Sequence, residues 1–433
     1  MHERSFQNPK LTGAFLIAYK SFADVAGKGS LFVITILAAR MLPPQGFGVF
    51  SLGSTLGWIL AVVGDFGIQL HVARAIARRP DEAATLLRAW LRVRVWTAAG
   101  ATLAVSVGVW IAGSSAANAL PIALFALVYA CSGLIEFLHY VYRGLSRTDI
   151  ESSLTLWQRG ATLVCGIAAL VWSRDVTVLA VAMLLPVVAT LCVSLRIARR
   201  VTGGPAIQNQ PAIRNQSALR KPQFAMLRDV WPIGAGIVLS ALYFRIDLFL
   251  VQLWSGTEAV GLYNAVFRLV EGLRVFPAAL MAVALPSLCR GQDLRPLARA
   301  AAPMTAVSIV ATIVLWASAG WLIPVIYQAR YAAAVPAFRI LLLSFPLMTL
   351  NMVLTHQLVG WDGQRAYAAL CAVALVVNVA LNARLIPAIS IDGAAWATVG
   401  TELCLTAGCA VALWMSLARR KDSQPLPATA VAG

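Results

Sequence analysis

The sequence predicts an all-α polytopic membrane protein of about 12 transmembrane helices in two six-helix lobes. Three observations predict it. Of 433 residues, 60% are hydrophobic and only 12% charged, with a mean hydropathy of +0.77, too apolar for a water-soluble chain of this length. The apolar residues fall into stretches of at least about 20, the number that crosses about 30 Å of hydrocarbon as helix. Positive charge collects in alternate gaps between these stretches. Because no backbone polar group can face lipid unpaired, each stretch must close its hydrogen bonds within itself as an α-helix.

The first six spans run Ala14 to Ala39, Gly46 to Leu70, Ala89 to Gly113, Ala117 to Tyr140, Ile150 to Trp172 and Val176 to Ile197. Six more run Val230 to Trp254, Val260 to Leu288, Ala300 to Tyr327, Val335 to Gly360, Tyr367 to Ile386 and Ile391 to Leu417. Each is bounded by Gly, Pro or charge: Pro43-Pro44 before the second, Arg88 before the third, Arg143 to Arg147 after the fourth, and Gly360-Trp361-Asp362-Gly363 after the tenth. The long polar segment between the sixth and seventh spans carries Gly203, Gly204, Pro205, Pro211 and Pro222, and reads as a linker. The expected division is residues 1–200 for an N-terminal lobe, 201–228 for a cytoplasmic linker, 229–418 for a C-terminal lobe and 419–433 for a cytoplasmic tail.

Short loops rich in Lys and Arg stay in the cytoplasm. Arg4 and Lys10 precede the first span; Arg74, Arg78, Arg79 and Arg88 follow the second; Arg143 and Arg147 follow the fourth; Arg199, Arg200 and Lys221 follow the sixth; Arg290, Arg295 and Arg299 follow the eighth; Arg365 follows the tenth; Arg419, Arg420 and Lys421 follow the twelfth. The alternate loops hold little beyond Arg40, Arg174, Arg330 and Arg384. Both termini are therefore expected in the cytoplasm. The net charge of +17 follows from this topology and is spread over one membrane face, unlike the concentrated patch of a nucleic-acid binder.

The halves carry hints of an internal repeat. Gly46-Phe47-Gly48-Val49-Phe50 opens the second span, and Ala259-Val260-Gly261-Leu262-Tyr263 opens the eighth, each with a Gly followed two residues later by an aromatic. Parallel repeats of this kind build carriers whose site lies between halves.

Charges inside the spans are the candidate functional groups, since an ionisable side chain at the bilayer centre costs at least about 2.5–3.5 kcal/mol and needs a partner or a wet cavity. In the first span Lys20, Asp24 and Lys28 stand at intervals of four, on one helical face. The eighth span repeats the order cation, anion, cation with Arg268, Glu271 and Arg274. Arg245 and Asp247 in the seventh point different ways and need partners on other helices. With Arg159 in the fifth, the cations Lys20, Lys28, Arg159, Arg245, Arg268 and Arg274 are expected to line a wet cationic cavity that selects a phosphorylated anionic head. Asp24, Asp65, Asp247 and Glu271 are candidates for carrying a coupling proton or sodium ion. The ordinary alternative for each charge singly is structural pairing or snorkelling to the surface.

All seven cysteines lie in or beside apolar spans, with no paired spacing of a metal or disulfide framework. No phosphate-cradling loop, metal-binding His pair or nucleophile elbow occurs, so neither a catalytic site, a metal nor a cofactor is expected.

Several tracts resemble a known family. Tyr331-Ala332-Ala333-Ala334-Val335-Pro336, His356 to Gly360 with Gln364-Arg365, Val377-Asn378-Val379-Ala380-Leu381-Asn382 and Asp392-Gly393-Ala394-Ala395-Trp396 are similar to the C-terminal half of Wzx-type polysaccharide, or O-antigen, flippases. Ala39-Arg40-Met41-Leu42-Pro43-Pro44, Gly64-Asp65-Phe66-Gly67 with Arg74, and Val260 to Ala265 resemble other parts of that family. The resemblance implies a V-shaped, two-lobed, alternating-access transporter of the multidrug, oligosaccharidyl-lipid and polysaccharide exporter superfamily. It implies movement of an undecaprenyl-pyrophosphate-linked oligosaccharide from the cytoplasmic to the periplasmic leaflet of the bacterial inner membrane for O-antigen, capsule or exopolysaccharide assembly. Ion coupling, contact with membrane lipids and partnership with other polysaccharide-assembly proteins are implied too. A multidrug or lipid II exporter of the same superfamily is the near alternative, and a membrane-embedded glycan polymerase or ligase a distant one, because the outward loops are short.

Overall fold

The computed structural model describes residues 9–111, 116–203, 223–281 and 295–422. Among these the regular structure is helical throughout: α1 (Pro9–Met41), α2 (Pro44–Asp65), α3 (Ile68–Arg78), α4 (Ala83–Ile111), α5 (Ala116–Gly144), α6 (Thr148–Trp172), α7 (Val176–Gly203), α8 (Gln223–Leu273), α9 (Arg295–Tyr327), α10 (Val335–Gly360) and α11 (Gln364–Asp422). Among the described residues ten helices are long and apolar enough to cross a membrane, and two of these, of 48 and 55 residues, are each broken in the middle, so that each half is itself long enough to cross. The breaks fall at Gly256 and at Ile389–Ser390. Gly256 has φ 84 and ψ 177, a conformation open to glycine alone. The chain is a multi-pass membrane protein.

The second span is shorter than its apolar run suggests. It was expected to reach Leu70, but α2 ends at Asp65, where Phe66 and Gly67 turn the chain at φ 43 and 80. The Asp65 carboxylate accepts the backbone N–H groups of Gly67 and Gln69, both at 3.2 Å, and so starts α3. Donors at a new helix N-terminus reward an acid there. α3 is amphipathic, burying Ile68, Val72 and Ile76 at intervals of four among Phe137, Leu138, Val141 and Tyr142 of α5 and leaving Arg74 and Arg78 exposed.

The chain divides into two compact units. One holds residues 1–238 with Thr257–Gly261, the other residues 239–256 with Leu262 onward. In the first unit, α2 packs on α5 through small residues: Gly53 and Gly57 lie against Phe125, Ile122 and Ala126. Lipid supplies no hydrophobic drive between helices, so close backbone approach and dispersion hold them, and small residues permit that approach. Across the core Tyr142 of α5 donates to the Ser194 carbonyl of α7 at 2.7 Å. In the second unit, Val353, Leu354 and Leu358 of α10 pack with Leu405, Cys409 and Leu413 of α11 and Met304 of α9.

Within the first unit, α2 and the 257–261 stretch cross backbone to backbone. A Cβ added to Gly48 would overlap the Thr257 carbonyl, and one added to Gly261 would overlap the Pro44 carbonyl. The contact is reciprocal, and the same sequence separation relates Gly48 to Gly261 and Pro44 to Thr257. Gly48→Val and Gly261→Val should each lower the thermal stability of the purified protein sharply. Gly100→Ala, which faces open space, should be neutral or gain up to about 1 kcal/mol from helix propensity. Equal unfolding temperatures for all three variants would refute the crossing.

Candidate functional site

The intramembrane charges of the first unit gather on a residue that lies outside the predicted set. Glu151, in the first turn of α6, is 1% exposed. It accepts Arg143 from the last turn of α5 at 2.6 and 3.0 Å, and forms an ion pair with Lys20 of α1 at 2.9 Å. The turn between α5 and α6 makes this possible, with Ser146 at φ 59 reversing the chain so that residues 143 and 151 meet. Arg143 also lies 4.3 Å over the Tyr140 ring and 3.9 Å from Glu136. Lys20 in turn bonds Asp24 at 2.5 Å. Three helices are thus joined through one carboxylate.

The remaining predicted cations of this unit stand apart from that network. Gly27 packs on the stem of Arg159, where an added Cβ would lie 3.3 Å from Cγ. The Arg159 guanidinium is half-buried and has no hydrogen-bond or ion-pair acceptor among the described residues. Lys28, next to Gly27, is exposed and likewise unpaired among them. Lys20, Lys28, Arg143 and Arg159 therefore face Asp24, Glu136 and Glu151, one positive charge in excess.

Asp65 stands elsewhere in the unit, at the α2–α3 break, where Arg94 of α4 approaches it to 3.9 Å. Arg94 also donates to the Gly133 carbonyl of α5 at 3.3 Å.

In the second unit, Arg245 and Asp247 point different ways, as their spacing requires. Arg245, 3% exposed, bonds Glu271 at 2.6 Å and Asn264 at 3.3 Å. Arg268 reaches the same Glu271 oxygen at 2.7 Å. Asp247 is held by the Tyr263 hydroxyl at 2.5 Å and the Leu248 N–H at 2.8 Å. Tyr263 is itself 3.3 Å from Thr398 of α11. Arg274 stacks 4.4 Å from the Phe244 ring centre, and no carboxylate lies within ion-pair distance of it among the described residues. The predicted group in this unit is thus three arginines against two acids.

Glu151, Arg143 and Arg94 escaped the sequence reading because each stands near the end of an apolar run, where a charge looks like loop. The available signal was an acid eight residues after Arg143, directly across a short turn.

Residues 17–292 match the family model described as polysaccharide biosynthesis protein. The chain belongs to this family. Solved structures share its fold. An inward-facing multidrug resistance MATE transporter of the MOP superfamily is 16% identical, with 92% of this chain and 96% of that one covered at a TM-score of 0.71. The lipid II flippase MurJ in an inward closed conformation is 11% identical, with coverage of 94% and 90% and a TM-score of 0.70. A Vibrio cholerae MATE transporter is 12% identical over 96% and 99%, with a TM-score of 0.60. Among curated proteins none matches significantly. At these identities the likeness to solved structures concerns the fold.

Removing a buried partner strands the cations it holds. Glu151→Gln should destabilise the protein by about 3 kcal/mol, the low end for a broken buried pair because Arg143 and Lys20 are partly exposed. Thermal unfolding in detergent measures it, and an unchanged midpoint would show that the three-helix junction is not a stabilising one.

Proposed function

We propose that this family member is a flippase that carries an undecaprenyl-pyrophosphate-linked oligosaccharide from the cytoplasmic to the periplasmic leaflet of the bacterial inner membrane, for assembly of a surface polysaccharide such as O-antigen, capsule or exopolysaccharide. The family description names the biosynthetic purpose. The fold is shared with a MATE transporter and with the lipid II flippase MurJ, which supports a carrier. The observation that carries the reading is that Lys28, Arg159 and Arg274 stand on membrane helices with no carboxylate within ion-pair distance among the described residues. Such charge is too costly to keep against hydrocarbon and suits a phosphorylated head.

The cations fall into two roles. Lys20, Arg245 and Arg268 are held by Asp24, Glu151 and Glu271 and shape the site. Lys28, Arg159 and Arg274, without carboxylate partners among the described residues, offer their charge to the pyrophosphate. Arg159 and Arg274 have forked donors suited to phosphate oxygens. Transport proceeds by alternating access and is coupled to a proton or sodium ion, with Asp24, Asp65, Asp247 and Glu271 as the coupling acids. The alternation of Lys and Arg between loops supports cytoplasmic termini. Membrane lipids and other polysaccharide-assembly proteins are its expected partners. A multidrug exporter would meet cationic cargo with repulsion at Lys28, Arg159 and Arg274.

In cells whose surface glycan depends on this gene, Lys28→Ala, Arg159→Ala and Arg274→Ala should each reduce glycan export at least about ten-fold, the loss of one charge-assisted contact, with protein abundance unchanged. Normal export in all three would remove the cationic-site assignment. In vesicles, Asp24→Asn should lose dependence on an imposed proton or sodium gradient, and retained dependence would exonerate that acid.

A further inference from the structure

One acid of the second unit takes no part in the ion networks. Glu402 is 3% exposed, and no cation lies within ion-pair distance of it among the described residues. It stands deep in the membrane: about 18 Å of helix separate it from the break at Ser390 and about 25 Å from Arg419. Leu405 and Cys409 share its helical face and pack in the core with Val353 and Leu354 of α10, so the carboxyl group points inward.

Its side-chain partner is Asn351, midway along α10 and 4% exposed. Asn351 Nδ2 donates to the Glu402 carboxylate at 2.7 Å and to the Glu402 carbonyl at 2.9 Å, which uses both of its hydrogens. That carbonyl also accepts the Thr406 hydroxyl at 2.8 Å. The other end of the amide, Asn351 Oδ1, is buried with no donor. The pair is thus one hydrogen short, and a proton on the carboxyl group supplies a hydrogen of that kind. Ionised, Glu402 is a carboxylate in an apolar core with a single amide to answer it.

The charged and titratable groups around Glu402 are few. α8 and the residue after it bring Tyr243 and Arg274; the first half of α11 brings Cys371 with Tyr367 beside it, and the second half brings Cys409. α9 brings Met304 to this core. His356 of α10 is exposed, its Nδ1 lying 2.6 Å from the Met352 carbonyl. Among these groups Arg274 is the fixed cation, and it acts on Glu402 from beyond ion-pair distance. Arg274 also lacks a partner: it rests on the Phe244 ring, and its Nε is buried with no acceptor. A buried acid without a cation and a cation without an acid thus occupy one unit, with Tyr243 near both.

We propose that Glu402 binds a proton and thereby sets how strongly Arg274 attracts a phosphate. With the carboxyl group protonated, Arg274 keeps its whole charge for the anion. With it ionised, part of that charge is cancelled at a distance, and the anion also meets a nearby negative group. By linkage the effect is mutual, and an anion held at Arg274 steadies the proton on Glu402. The inference rests on the assignment of Arg274 to the pyrophosphate and adds a control on that site.

The test is binding to the full-length protein in nanodiscs of neutral lipid. The probe is undecaprenyl pyrophosphate joined to one N-acetylglucosamine, a diester without the second phosphate ionisation near about pH 6. Wild-type protein should bind it at least about five-fold more tightly at acid than at alkaline pH, the low end for coupled sites. Glu402→Gln, which keeps the neutral shape, should bind tightly at both ends of the range, and Arg274→Ala weakly at both. Equal wild-type affinity across the range overturns the proposal. So does a pH dependence that survives in Glu402→Gln, or one that follows sodium in place of pH. A second measurement needs no variant: infrared difference spectra of the wild-type protein across the same range should show a carboxyl group in a dry setting losing its proton, and its absence also overturns the proposal. Arg274→Ala keeps the two readings apart. If it binds as tightly as wild type, the pyrophosphate assignment fails; if it binds weakly while wild type ignores pH, this inference alone fails.

Discussion

A cation inside the membrane needs a counter-charge, and this protein meets the need by giving two cations to one carboxylate. Glu151 takes Arg143 and Lys20; Glu271 takes Arg245 and Arg268. Each arrangement ties together helix segments that lipid alone would not hold. A carboxylate has about four lone-pair directions, so one acid can satisfy a forked guanidinium and a second donor together. Further acids join each network, Asp24 on Lys20 and Glu136 near Arg143, so the paired cations are neutralised where they stand.

The glycines supply what the ion pairs cannot. Where α2 crosses the 257–261 stretch, backbone meets backbone, and dispersion over that close contact replaces the hydrophobic drive that water would provide elsewhere. The break at Gly256 frees the chain to turn immediately before that crossing. The break at Phe66–Gly67 works differently. It places Asp65 at a helix start and within reach of Arg94, so that a charge pair sits at the depth where α2 would otherwise be featureless.

Helices and membrane passage are legible in the sequence because the hydrocarbon imposes them: length and apolarity decide, with little left to tertiary context. The grouping of Lys20 with Asp24, and of Arg268 with Glu271, is legible because i,i+3 and i,i+4 neighbours share a helix face. The partners of Arg245 and Arg143 are not, since they depend on which helices pack together and on the turn at Ser146. The end of α2 was missed for a related reason. The run from Gly46 to Leu70 carries no charge but Asp65, and hydropathy does not register a left-handed pair of residues. Gly64-Asp65-Phe66-Gly67 does contain the sign of a break, an acid between glycines, when read as a helix cap rather than as a stray charge.

The two units reach similar electrostatics from different positions, and the difference bears on what their free charges can do. Arg274 lies over Phe244, and an aromatic face offsets part of the cost of leaving water while using none of the guanidinium's hydrogen-bond donors. Arg159 keeps its stem against Gly27 and leaves its head without an acceptor among the described residues. An arginine neutralised by a carboxylate has spent its donors before any ligand arrives. One supported through its aliphatic stem or an arene is held in place and keeps its full charge and donor set for a phosphate. In the proposed flippase, capacity for an anion therefore belongs to the cations that no carboxylate holds within ion-pair distance.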